Sequence, residues 1–177
     1  MILDALLAFD NAVSLAIGAG TQASTNTIDL GLVGLPTSAG GGGARDIGIG
    51  DDPAMKLLVQ VSTLFTSGGA ATLSVSLQGA IDNGAGAPAA FSTWYVTPVY
   101  TTAQLVAGAR LFDADMPRPP QGVAIPRFLR LSYAVASATM TAGNVSAFLV
   151  LDRMDLAYQS TNNAVLGGYP AGITVAN

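Results

Sequence analysis

The chain has no cysteine and no histidine, its eleven acidic residues are all aspartate, and Lys56 is the one lysine among seven basic residues. Without cysteine and histidine there is no disulfide framework, no zinc or iron–sulfur ligation of the usual kind, no thiolate nucleophile and no side chain that titrates near neutral pH. Most enzyme mechanisms are thereby closed, and the expectation is a non-enzymatic protein with no cofactor and no metal. Glutamate and lysine normally build the exposed faces of helices; a chain filled instead with Ala, Gly, Thr, Ser and Val is expected to be β-rich. Charged residues make up only 10% of the sequence, the net charge is -4, and no cluster of Lys and Arg interleaves with aromatics, which excludes direct nucleic-acid binding. Hydrophobic residues reach 50% and the mean hydropathy is +0.49. Yet no apolar run approaches the roughly 20 residues that a membrane-spanning helix needs, so no membrane partner is expected. The stretch Met1 to Gly20 carries Asp4 and Asp10 and no positive residue, unlike a secretory signal. The reading is therefore synthesis in a cytoplasm, where Asn144-Val145-Ser146 has no meaning as a glycosylation site.

What the chain does have is period-two alternation, the pattern of strands with one face toward a core. In Met55 to Phe65 one face carries Leu57, Val59, Val61 and Phe65, and the other carries Lys56, Gln60 and Ser62. In Ala71 to Ile81, Leu73, Val75 and Leu77 alternate with Thr72, Ser74, Ser76 and Gln78; in Phe128 to Ser137, Leu129, Leu131, Tyr133 and Val135 oppose Arg130, Ser132 and Ala134. Val13 to Ile17, Thr27 to Leu32, Phe91 to Thr97, Leu105 to Asp115 and Val145 to Leu151 complete a set of about eight strands. Ala147 to Leu151 is apolar on both faces and so reads as a central strand. Thr37 to Gly50, with its glycine run Gly40 to Gly43, and the proline-rich Met116 to Pro126 are loops. The expected architecture is all-β: one domain over residues 1–177, an antiparallel double-sheet jelly roll or related β-sandwich, with extended terminal arms over 1–12 and 155–177.

Each chemical motif has a plainer explanation. The glycine run is followed by Ala44-Arg45-Asp46, not by the Gly-Lys-Ser/Thr of a phosphate loop. Asp113 and Asp115 share one strand face, as a bridged cation would require, and Asp51 adjoins Asp52; but a hard-cation site takes roughly six oxygens, and aspartates beside turns more often cap backbone amides. Lys56 lies on the polar face of its strand as a solvated or paired cation. Trp94 and Tyr95 adjoin in a strand, so their rings should part to opposite sides, one inward and one available for an interface or a sugar. The basic complement is otherwise Arg45, Arg110, Arg118, Arg127, Arg130 and Arg153. Arginine is the cation preferred where carboxylates or backbone are gripped in partly dry contacts.

Met1-Ile2-Leu3-Asp4, Arg45 to Pro53, Asp82-Asn83-Gly84-Ala85-Gly86-Ala87-Pro88, Leu105 to Phe112, Pro126 to Leu131 and the ending Tyr169 to Asn177 together resemble the jelly-roll capsid cement proteins of tailed bacteriophages, of the Bordetella-phage type. The resemblance spans nearly the whole chain and is weakest over Met154 to Leu166. It implies a structural virion protein on the outer surface of the capsid. Such a protein dimerises and bridges neighbouring capsomers of a major capsid protein of HK97-like fold. Arg45, Asp46, Arg127, Arg130 and Arg153 are the expected capsid-interface residues. The alternative is a carbohydrate-binding jelly-roll module of a phage fibre or lectin type, which would use an exposed Trp94 or Tyr95.

Overall fold

A computed structural model of the chain describes residues 7–31 and 55–150. Among the described residues ten strands run in chain order: β1 (Ala8–Ser14), β2 (Gly20–Ala23), β3 (Ile28–Asp29), β4 (Lys56–Ser67), β5 (Thr72–Ala80), β6 (Ser92–Val96), β7 (Tyr100–Thr101), β8 (Arg110–Asp115), β9 (Phe128–Ala136) and β10 (Met140–Val150). They form two antiparallel sheets, a four-stranded one ordered β1-β10-β4-β8 and a six-stranded one with the path β2-β9-β5-β6, to which β3 adds beside β9 and β7 beside β5. The connections β1 to β2, β4 to β5 and β9 to β10 each cross from one sheet to the other, while in-sheet neighbours such as β1 and β10 come from opposite ends of the described chain. That is the double-sheet jelly roll.

The alternation read from the sequence is what builds the core. Leu73, Val75 and Leu77 of β5 and Leu129, Leu131, Tyr133 and Val135 of β9 are buried, and they face Leu57, Val59, Val61, Val145, Ala147 and Leu149 of the other sheet. Strand β10, apolar on both faces near its end, lies between β1 and β4 as expected of a central strand.

Three expectations need correction. Residues 8–12, assigned to an arm, belong to β1 and pair with β10 from Ala8↔Phe148 to Ser14↔Asn144. The regular strand expected over Val13 to Ile17 stops at Ser14, although Leu15 is still fully buried. Only the second half of Leu105 to Asp115 is strand: Leu105 to Ala109 turn, with the Ala109 amide donating to the Val106 carbonyl at 2.9 Å and Gly108 at φ 86°. Strand β2 was not anticipated, because Gly20-Thr21-Gln22-Ala23 has no apolar face. The C-terminal arm over 155–177, the glycine-rich loop and the first residues of the chain lie outside the described residues.

A fully buried carboxylate links the two sheets. Asp10 of β1 is 1% exposed; it accepts the Tyr133 hydroxyl of β9 at 2.6 Å and the Thr25 amide at 2.8 Å. A carboxylate can be buried at tolerable cost only when its lone pairs are met in this way. The contact pins the first strand of one sheet to the middle of the other.

Candidate functional site

The outer face of the six-stranded sheet is built from the alternate residues that the core does not use. Thr72, Ser74 and Ser76 of β5 stand opposite Ala136, Ala134 and Ser132 of β9; Ala23 and Thr21 of β2 continue these rows on one side, and Val96 of β6 on the other. The side chains are short and uncharged, so the face is flat. The next row ends this pattern, with Arg130 of β9 paired to Gln78 of β5 and Gln78 to Thr93 of β6.

Arg130 is held from two directions. Its Nε donates to Gln78 Oε1 at 2.8 Å, and its guanidinium lies over the Phe91 ring, 3.9 Å from the centroid. Gln78 is fixed in turn, its Nε2 donating to Thr93 Oγ1 at 3.2 Å. Among the described residues no carboxylate pairs with Arg130, and its terminal nitrogens keep their donors for something else.

Arg127 has the opposite fate. Its Nε and Nη2 grip both oxygens of Asp29 at 2.8 and 2.9 Å, its Nη1 donates to Asp82, and its guanidinium sits 4.8 Å above Phe128. Asp82 also accepts the amides of Gly84 and Gly86 at 2.6 and 3.0 Å. Burial pulls the Asp82 carboxyl upward, but those two amides and Arg127 outweigh it and hold the group below the ordinary aspartate value. The clamp joins β3, the β5–β6 loop and the start of β9. The clamp is a structural use of Arg127, which is also one of the expected interface residues. Of the other residues so assigned, Arg130 stands on the sheet face, and Arg45, Asp46 and Arg153 lie outside the described residues.

The paired aspartates are also engaged by cations. Asp113 lies 3.0 Å from Arg110, and Asp115 lies 3.4 Å from Lys56 across the β4–β8 pair. Among the described residues no group of three acidic side chains gathers as a metal would need.

Trp94 and Tyr95 depart from simple alternation. The β5–β6 register jumps from Leu77↔Tyr95 to Gln78↔Thr93, which makes Trp94 the extra residue of a bulge. Both rings therefore turn to the core side: Tyr95 meets Phe112 of the other sheet edge-on at 4.8 Å, and the Trp94 indole fills the space where a side chain on Gly79 would stand. The indole Nε1 is buried and finds no acceptor among the described residues. Beside it lies a cavity of about 200 Å³ lined by Ala80, Ile81, Ala90, Ser92, Val123 and Pro126 among others. A Cβ on Gly79 would come within 2.5 Å of the indole, so Gly79→Ala is expected to push the ring toward this cavity at a cost of roughly 1–3 kcal/mol. Trp94 is the only tryptophan, so its fluorescence reads the change directly: the emission should shift to the red, and an unaltered spectrum would contradict the packing described.

Fold and face together define the class: an all-β jelly roll with a flat, short-chained sheet surface. The family model described as Bbp16 matches residues 12–149, well over half of the chain, and the protein belongs to the Bbp16 family. The family name suggests a Bordetella phage protein, and with the all-β fold it suggests a structural component of the virion. No curated protein matches the chain.

Proposed function

We propose that this protein is a capsid cement protein, which binds the outside of an assembled phage shell and bridges neighbouring capsomers of an HK97-like major capsid protein. The observation that carries the reading is membership of the Bbp16 family over residues 12–149, on a jelly roll. The flat outer face of the six-stranded sheet supports it, because short side chains let a second surface approach closely over a wide area. The protein acts as a homodimer, and Arg45, Asp46 and Arg153 join Arg130 in contacting the shell. The carbohydrate-binding alternative depends on a free aromatic face, whereas Trp94 packs against Gly79 and Tyr95, though 37% exposed, holds its ring edge-on to Phe112.

Stabilisation then follows mass action. A protein that binds only the intact shell adds about 2.7 kcal/mol per site at 100 times its dissociation constant, and the many sites of a shell compound the gain. The test is to add purified protein to undecorated shells of the same phage, count bound copies and measure the disruption temperature. Saturable binding with a higher disruption temperature is expected. Failure to bind any assembled shell would reject the reading.

A further inference from the structure

We infer that the Arg130 cradle is a carboxylate-binding point, through which the outer face of the six-stranded sheet docks onto an acidic side chain of a protein partner. The partner's identity as the shell rests on the cement reading; the chemistry of the cradle does not.

The guanidinium is already oriented. Phe91 supports its flat side and Gln78 takes its Nε, so the remaining donors, on Nη1 and Nη2, form a fork with little rotational freedom left to lose. A planar fork of this kind matches a carboxylate in two parallel hydrogen bonds. Three of the other described cations are paired with carboxylates. Lys56 has Asp115, Arg110 has Asp113, and Arg127 has Asp29 and Asp82, each within salt-bridge distance. Arg130 instead has a neutral amide and a ring, which position it without neutralising it.

The surroundings point to the same kind of partner. Thr21, Ala23, Ser74, Ser76, Ser132 and Ala134 make the neighbouring face uncharged, so Arg130 is its positive feature on a protein of net charge -4. On this face the carboxylate nearest in register is Asp29, opposite Phe128, and both its oxygens are already held by Arg127, so the acid that the fork takes comes from a different surface and not from the same face of a second copy. Phosphate shares part of this chemistry, and the experiment separates it.

The experiment has two arms. In the first, the side-chain N–H signals of Arg130, assigned by their loss in Arg130→Lys, are followed by NMR. The peptide acetyl-Gly-Asp-Gly-amide is titrated against its Asn counterpart, with inorganic phosphate and chloride run in parallel. A saturable shift with the Asp peptide, absent with Asn and chloride, is expected. Signals that stay still, or that respond to phosphate alone, overturn the carboxylate assignment. In the second arm wild type, Arg130→Gln and Arg130→Lys are bound to undecorated shells after thermal melts have shown all three to be folded. Losing a charge-assisted pair should weaken Arg130→Gln by about 10- to 100-fold, and Arg130→Lys should recover only part of that loss. Equal affinity of all three overturns the docking role while leaving the cement reading intact. If wild type itself does not bind shells, the cement reading fails, and the peptide titration still decides the cradle.

Discussion

Replacing Gly143 by alanine is expected to destabilise the protein by about 2–5 kcal/mol, the largest effect of any single methyl group considered in this structure. Gly143 lies in β10 where the pairing with β4 slips, with irregular steps between Ala142↔Thr66, Asn144↔Thr63 and Val145↔Val61. The space above its Cα is occupied by Phe65, whose ring atoms would stand 2.3 Å from an added Cβ. Phe65 is only 3% exposed and cannot move outward without leaving the core. The residue also sits at φ 135°, a backbone conformation strained for any side chain-bearing residue. Steric overlap and backbone strain act at the same atom and add. At about 2–4 °C per kcal/mol for a domain of this size, the melting midpoint should fall by roughly 10 °C. Phe65→Leu introduced into the Gly143→Ala protein should recover part of the loss, since it makes room for the methyl. A midpoint for Gly143→Ala within error of wild type would show that the ring does not occupy the position described.

The second large effect concerns Tyr133 and Asp10. Tyr133→Phe keeps the ring but removes the hydroxyl donated to the buried Asp10 carboxylate, and the loss at neutral pH should be about 2–3 kcal/mol. The variant should also change the response to alkali. Burial first, and then the charge and hydrogen bond of Asp10, raise the Tyr133 hydroxyl well above its ordinary value of 10.0. A tyrosine raised in the folded state keeps its proton while the unfolded chain begins to release one, so stability is intact below pH 10 and is lost as the pH climbs above it. The slope for one proton is about 1.4 kcal/mol per pH unit. Tyr100 is raised too, by burial and the nearby Tyr95, and contributes in the same direction. The gap in stability between wild type and Tyr133→Phe should therefore narrow steadily above pH 10, by one proton's slope. Urea titrations at a series of alkaline pH values give the comparison. Parallel stability curves would mean that Tyr133 titrates as it does in the unfolded chain.

Much of the fold was legible because β5 and β9 each bury one face and leave the other in a different environment. Alternation then prints directly in the sequence, as Leu73, Val75 and Leu77 against Ser74, Ser76 and Gln78. Strand β2 was not legible for the complementary reason: four edge residues that bury no apolar side chain leave no period to read. Trp94 and Tyr95 were misplaced because a bulge adds one residue to one strand, and nothing in either strand alone announces it. Of the candidate site, the outward placement of Arg130 followed from alternation, but its support by Gln78, 52 residues away, did not. Arg127 looks no different from Arg130 in the sequence, yet its partner Asp29 is 98 residues distant.

The amino-acid sequence by itself determined that this is a β protein with two faces per strand, and that chemistry requiring cysteine or histidine is closed to it. Those properties depend on composition and on neighbours two residues apart, which the chain carries in any fold. Only the tertiary structure decided which arginine is spent on internal carboxylates and which is left facing outward. The physical reason is that charge pairing falls off within a few ångströms. The few ångströms around each guanidinium are set by strand order and register, which bring Asp29 and Asp82 to Arg127 and a neutral glutamine to Arg130.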